Sequence, residues 1–575
     1  MTTITYPAAA LGRRLPNVWD AAAILLVFGA LVGVAHVASG TFLRLNAPQA
    51  VAISLDPIDL PNYAVRTTLR MFAALALSLI FTFGYGAAAA KSRRAAVVLV
   101  PLLDILQSVP ILGFLTFTVV FFMKLFPGRV LGLELAAIFA IFTSQAWNMA
   151  FSMYQSLRTV PADLAEAAVS FHLTPWQRFW RLEVPFAMPG LVWNTMMSMS
   201  GGWFFVVASE AISVGDHTWK LPGIGSYVAL ALERRDIRAV GWAIAAMLVV
   251  ILLYDQLLFR PLVAWSAKFR FETTAGATAA DPWVLKLTRR TRLLHLAAEA
   301  AGAALGRVGG LRLRLRPSGD GGRRRAPSRL LDALLLALLI VAVTIAAHRI
   351  VGFLSGRLAW AEFEHVVVLG CYTLIRVVVL IALATIVWVP IGVWLGLRPV
   401  WARRAQPVAQ FLAAFPANLL FPPFVLFIVH FRLNPDVWLT PLMVLGTQWY
   451  ILFNVVAGAA AFPGDLQEAA RNFGIGGLLW WRKVMLPGVF AYYVTGAITA
   501  SGGSWNAAIV AEVASWGNTK LTAHGIGAYI AQATDQGNMA RVVLGVAVMS
   551  GFVLLFNRLL WRPLYDYAGR HLTLG

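Results

Sequence analysis

The chain has 575 residues, 59% of them hydrophobic and only 13% charged, with a mean hydropathy of +0.73. No water-facing surface of this size is so apolar, which excludes a soluble globular protein and predicts an all-α polytopic membrane protein. The formal charge of +21 invites a nucleic-acid reading. The basic residues instead cluster between apolar runs, so their expected partner is the lipid bilayer and no nucleic acid.

A spanning helix needs about 20 mostly apolar residues, and about twelve such stretches occur, six to each half. In chain order they are 21–38, 71–90, 95–123, 131–153, 191–207 and 240–258, then 330–347, 366–397, 408–429, 437–460, 489–510 and 542–560. The first follows Arg13 and Arg14 without a clean small-x-small cleavage site, so it reads as a retained helix. With twelve spans the basic clusters, among them Lys91 to Arg94, Lys268 to Arg329 and Arg403-Arg404, all fall on one side. The positive-inside rule makes that side the cytoplasm and places both termini there. The expected organisation is a first domain over 1–265, a basic cytoplasmic linker over 266–329 and a second domain over 330–575. Within the linker, 283–305 reads equally as an amphipathic helix on anionic head groups or as part of a disordered tether. Cys371 is the only cysteine, so no disulfide within the chain is possible, and the nine His residues lack ligand spacing. No metal site is expected.

The two halves are copies. Glu166 and Glu468 stand 302 positions apart, as do Pro185 and Pro487, Trp203 and Trp505, and Glu210 and Glu512. Because each half has an even number of expected spans, the copies have the same orientation and form two parallel six-helix repeats about an axis along the membrane normal.

Each copy carries a charged loop between apolar segments. Leu164, Ala167, Ala168 and Phe171 share the helical spacing i, i+3, i+4, i+7, and so do Leu466, Ala469, Ala470 and Phe473. Pro161 and Pro463 precede these short helices, and Thr174 with Gln177 reads as a capping box that opens a second helix. Such a helix either docks into a partner or covers the ends of the chain's own spans. Seven residues after Trp203 and Trp505 come Glu210 and Glu512, two turns on and hence on the same face. If that face points to the axis, these residues ring a path near its outer end, with Asn506 beside them; otherwise the Trp residues are interfacial and the Glu residues cap helices. Asp104, inside the apolar run 97–122, is a further path candidate, because an acid within the membrane is a functional hypothesis by default.

The pattern Glu468-Ala469-Ala470, Gly474, Val484 and Leu486-Pro487 resembles the cytoplasmic signature of permease subunits in ATP-binding cassette importers of type I. The first copy, Glu166-Ala167-Ala168 with Pro185, departs at His172, where the family has Gly, and at Val184. The strings Gly223-Ile-Gly-Ser-Tyr227 and Gly525-Ile-Gly-Ala-Tyr529 are similar to the nitrate, sulfonate and taurine branch. The resemblance implies a bacterial inner-membrane protein whose two loops are coupling helices. Its implied partners are two copies of an ATPase subunit, which bind the ATP and Mg, and an extracytoplasmic substrate-binding protein. It implies no cofactor in this chain, and the His172 departure leaves the first loop's turn open.

The function expected is therefore a non-enzymatic permease for a small solute, in this branch an anion such as nitrate, a sulfonate or a related oxyanion. The chain has no Gly-Lys dipeptide, hence no phosphate-binding loop of its own. The alternative is an ion-coupled secondary transporter, which shares the plan of two six-helix halves but needs no paired docking loops.

Overall fold

A computed structural model describes residues 53–214, 217–269, 329–460, 462–516 and 519–571, with short pieces between 291 and 311. The expected first span, 21–38, and most of the linker lie outside the described residues.

The first half runs α1 (Leu60–Lys91), α2 (Arg93–Ser108), α3 (Ile111–Leu125), α4 (Val130–Arg158), α5 (Ala162–Ser170), α6 (Pro175–Arg178) and α7 (Val184–Glu210). A hairpin of β1 (Ala211–Val214) and β2 (His217–Lys220) follows, then α8 (Ile224–Glu233), α9 (Ile237–Tyr254) and α10 (Arg260–Ser266). The second half opens with α11 (Arg329–Ser355) and continues through α12 (Trp360–Gly396), α13 (Pro399–Ala414), α14 (Phe421–His430), α15 (Pro435–Trp438), α16 (Trp449–Ala460), α17 (Gly464–Asn472), α18 (Gly477–Trp480) and α19 (Leu486–Ala511). It closes with β3 (Val513–Trp516), β4 (Thr519–Thr522), α20 (Ile526–Asp535), α21 (Met539–Phe556) and α22 (Arg562–His571). Both hairpins are antiparallel and in the same register, Ala211 opposite Lys220 and Val513 opposite Thr522.

Six helices are long and apolar enough to cross a membrane among the described residues, or eight if each of two sharply bent pairs counts as one span. That is fewer than twelve, and the sequence shows why. The stretch 95–123 is divided at Val109-Pro110 into α2 and α3, and 408–429 is bent by 81° before Ala417, next to Pro416. Proline removes an interior N–H and disfavours helix at the preceding residue. The stretch 437–460 keeps only α16 as a regular helix, after α15 and a 3-10 turn at Thr440–Met443. Its counterpart α4 is unbroken, because Leu133 and Phe139 stand where the second half has Pro435 and Pro441.

In each half three long helices make the core: α4 lies between α1 and α7, and α16 packs against α12 and α19. Fully buried methionines fill the first, with Met71, Met149, Met153 and Met199 all at or near zero exposure, where their flexible thioethers suit irregular gaps. The second core is built on Val366, Val377, Ile451, Val455 and Trp505. The halves meet through α7 against α13 and the turn Ala417–Leu420, and through α19 against α3.

Candidate functional site

At one end of the bundle lie the two charged loops. α5 starts behind Pro161 and α17 behind Pro463, each with an Asp in its first turn, Asp163 and Asp465, where the helix dipole favours a carboxylate. Ala168 and Ala470 are each 5% exposed and seat the helices on the bundle. Glu166 and Glu468 face outward, Ala167 and Ala469 are half-buried, and Phe171 and Phe473 stand 78% and 82% exposed. The apolar face is thus covered at its alanines and bare at its phenylalanines.

Both short helices end in the same turn. His172 has φ 51° and Gly474 φ 64°. Leu173 N donates to Ala168 O and Ile475 N to Ala470 O, closing each helix with the bond typical of a left-handed terminus. The His172 departure therefore leaves the loop's geometry unchanged; a residue with a side chain occupies the position that glycine adopts without strain. α6 carries the expected capping box, with Thr174 Oγ1 accepting from Gln177 N and Gln177 Oε1 from Thr174 N. A five-residue π turn then leads into the long helix in each copy, Phe179–Glu183 before α7 and Trp481–Met485 before α19. Pro185 and Pro487 sit in the first turn of those helices, where a missing N–H is harmless. Only the first loop is tied to α1, through Lys91 Nζ to Glu183 at 2.8 Å; the second copy has Met485 in place of Glu183.

About 40 Å away, the length of α7 at 1.5 Å per residue, lies a second duplicated arrangement. Arg70 on α1 clasps Glu134 of α4 with Nε and Nη2 at 2.6 and 2.7 Å, and reaches Glu210 of α7 with Nη1 at 2.7 Å. Thr67, one turn before Arg70, donates to Glu210 Oε1 at 2.7 Å and accepts from Ile224 N at 3.0 Å. The other oxygen of Glu210 accepts from Gly225 N at 2.7 Å. All three charged groups are buried; Glu134 is met at both oxygens by the guanidinium, and Glu210 by the guanidinium, the Thr67 hydroxyl and the Gly225 N–H, as burial requires. In the second half Thr373 and Arg376 bind Glu512 at 2.7 and 3.0 Å, Ile526 N donates to Thr373, and Ala528 N donates to Glu512. These clusters pin α8 and α20, the helices after each hairpin, to the end of the long helices.

The glycine strings now have a physical reason. A Cβ at Gly223 would overlap the carboxylate of Glu210, one at Gly525 that of Glu512, and one at Gly225 or Gly527 the carbonyl of Val207 or Ala508. The backbone must approach that closely for its N–H groups to reach the acid.

The two clusters differ at two positions. Glu134 corresponds to Asp436, which lies on α15, half exposed, and Pro222 corresponds to His524. Having an N–H that proline lacks, His524 donates it to Asp436 at 2.7 Å, with its ring Nδ1 at 2.9 Å from the other oxygen. Partial burial alone would raise the Asp436 carboxyl, but the His524 backbone and ring and the Arg376 charge outweigh it and hold it below its ordinary value.

Trp203 and Trp505 are at 0% and 1% exposure within the cores of their own halves, Trp203 edge-on to Tyr254 and Trp505 stacked near Phe552. Together with Glu210 and Glu512 they occupy the expected common face, turned inward within each half. Trp203 and Met196 also border a cavity of about 30 Å³ between the halves, with Gln410 and Phe453 opposite; the halves are closed on each other there. Asn506 joins them directly, its Oδ1 accepting from Ile111 N at 2.6 Å. In return Asn418 Nδ2 donates to the Phe204 carbonyl of α7 at 3.4 Å. Asp104 lies on α2, and its side chain is outside the described residues.

Sequence reading missed Thr67 and Glu134 and gave Arg70 another role. Arg70 and Arg376 look like anion-attracting or snorkelling residues, whereas both are committed to acids of their own half. A signal was present: Thr and Arg three apart recur as Thr67-Arg70 and Thr373-Arg376 in matching spans, each half also holding a Glu that would otherwise be uncompensated.

Two copies of a helical membrane unit, each with a loop at one end and a locked carboxylate at the other, define a duplicated membrane-transport architecture. Residues 80–260 and 388–561 each match the family described as binding-protein-dependent transport system inner membrane component. The chain belongs to that family and carries its domain twice, as a duplicated importer permease of the ATP-binding cassette type. It is 30% identical over 186 residues to the bicarbonate transport system permease protein CmpB of Synechococcus elongatus, covering 32% of this chain and 64% of that protein. Over 184 residues it is 27% identical to the nitrate import permease protein NrtB of Leptolyngbya laminosa, 32% of this chain and 62% of the relative. The glycine betaine/proline betaine transport system permease protein ProW of Escherichia coli is 26% identical over 205 residues, 36% of this chain and 54% of the relative. The chain spans less than two thirds of the length of each of these relatives.

Proposed function

We propose that the chain is the fused membrane-spanning subunit of an ATP-driven, binding-protein-dependent importer. Two copies of an ATPase subunit dock on α5 and α17 at the cytoplasmic side, and an extracytoplasmic binding protein delivers the solute at the opposite face. One observation carries this reading: two loops, 302 positions apart, whose first helices end in the same left-handed turn, each leave an exposed phenylalanine and an outward glutamate uncovered. Large exposed apolar side chains beside charge mark docking surfaces. Both termini and the linker then lie in the cytoplasm, dividing the chain into permease domains 1–265 and 330–575. ATP and Mg belong to the ATPase, since this chain has no Gly-Lys dipeptide.

For the path, Asn506 is the residue whose position supports a role. Its amide oxygen caps the free N–H at the start of α3 across the interface of the halves, so opening a path there must break this bond. A backbone N–H at a helix start is also a donor for an oxyanion. A small anion such as nitrate, bicarbonate or a sulfonate is the solute class favoured, supported by the names of CmpB and NrtB; ProW, a betaine system, widens the choice. Glu210 and Glu512, each neutralised by an arginine, hold the outer end of each half together and offer no free negative charge to the path.

Purification in mild detergent with the cognate ATPase should yield one chain with two ATPase subunits. The Glu166→Ala/Glu468→Ala variant should insert normally yet hydrolyse ATP without uptake. Normal uptake by this double variant would remove the coupling role from the loops.

A further inference from the structure

The two loops share the turn that ends their first helix but not what lies against them. Trp176, Gln177 and Trp180 of the first copy correspond, 302 positions on, to Leu478, Leu479 and Arg482. Gln177 closes the capping box with its Oε1, and its Nε2 donates at 3.0 Å to the carbonyl of Gly310, a residue of the linker. The neighbouring Gly309 rests on Trp180, whose Cβ would lie 3.1 Å from any Cβ at that position. Trp180 in turn stacks among Phe83, Trp176 and Phe179, with ring centres 5.2 to 5.8 Å apart. This is an aromatic cluster against which a backbone without side chains packs, plus one amide donor to hold it. At the equivalent place in the second copy Leu479 has no donor, and Leu478 and Leu479 stand 84% and 53% exposed.

We propose that the linker is a docked element of the first loop, held at Gly309-Gly310 by Gln177 and Trp180, and not only a tether between the halves. The two docking faces are then built differently: the first is loop plus linker, the second, among the described residues, the loop with two exposed leucines. The partner facing the first loop meets a composite surface that includes the linker's exposed Arg307, and the one facing the second meets Leu478 and Leu479 in its place. That consequence rests on the permease reading, whereas the docking itself does not.

The test needs no ATPase. In a Cys371→Ser background the pairs Arg181→Cys with Gly310→Cys, where a Cβ at Gly310 lies 3.3 Å from the Arg181 guanidinium, and Lys483→Cys with Gly310→Cys are treated in native membranes with a short bismaleimide, and the linked peptides are quantified by mass spectrometry. Capture is expected at the 181–310 pair and not at 483–310. Adding Gly309→Trp, which cannot lie on Trp180, should lower capture at 181–310 by about tenfold, equivalent to about 1.4 kcal/mol in the docking equilibrium, while the chain remains in the membrane. No capture at 181–310, equal capture at both pairs, or capture unaffected by Gly309→Trp would each overturn the proposal. If the docking holds while no ATPase co-purifies, the permease reading fails and the linker proposal stands.

Discussion

His172 holds a left-handed conformation at φ 51° that its counterpart Gly474 reaches at no steric cost. A side chain there costs about 1–2 kcal/mol, against about 0.5–1 kcal/mol of extra backbone entropy that glycine loses on folding. His172→Gly is therefore expected to slow hydrogen exchange at the end of α5, by the few-fold that about 0.5–1 kcal/mol implies. Gly474→Val should accelerate exchange at the end of α17, because a β-branched residue is a true outlier at that φ. Unchanged exchange in both would show that the turn is not set by this residue. The arginines support a second comparison. Arg70→Met leaves Glu134 and Glu210 buried without a cation, at a cost of about 3–5 kcal/mol. Arg376→Met should cost less, since Asp436 is half exposed and keeps the His524 N–H. Thermal unfolding of the purified variants in detergent measures the order, and an equal loss in both would contradict the asymmetry of the clusters. At this scale the sequence shows which residues repeat but not whom they meet. Glu210 and Glu512 are legible as residues with a function, while their binding to Arg70 and Arg376 depends on how α1 and α12 pack, which no local pattern encodes.

Among the elements, α5 and α17 were legible almost to the residue, because a proline start, an Asp in the first turn and a helix-ending position all lie within one short window. The spans were not. Hydropathy over 437–460 matches that over 131–153, yet Pro435 just before it and Pro441 within it divide the former into turns where the latter forms one helix; an average over twenty residues hides a missing N–H donor. The second short helix of each loop gives a prediction at this scale. α6 has its capping box, whereas α18 begins at Gly476 with no side-chain cap. An N-cap glycine is only a few tenths of a kcal/mol poorer than a hydroxyl residue, so with the reciprocal Gln177 bond added amides of α18 are expected to exchange about twofold faster than those of α6. Thr174→Ala should bring α6 toward α18, and equal rates in the unaltered protein would contradict this account.

For the whole molecule, the duplication was plain from residue spacing, because coupling loop, long helix, carboxylate and glycine string return in one register 302 positions on. Before Pro110 and Pro416 the spacing is 306, as for Arg70 and Arg376, so the four-residue difference falls between the start of α3 and Glu134. Every element that pins the two ends keeps its place across that change. The resulting molecule has the exposed loops at one end, carboxylate locks at the other, and halves joined across Asn506 and Asn418. Under the proposed function, motion of the loops opens the centre, and no intramembrane acid has to cycle a proton. The most direct test is solute uptake into vesicles that contain this chain with its ATPase and binding protein, are loaded with ATP, and are treated with a protonophore. Uptake should persist after the proton gradient has collapsed and should cease when ATP is withheld. Uptake abolished by the protonophore while ATP remains plentiful would contradict the account and identify an ion-coupled carrier.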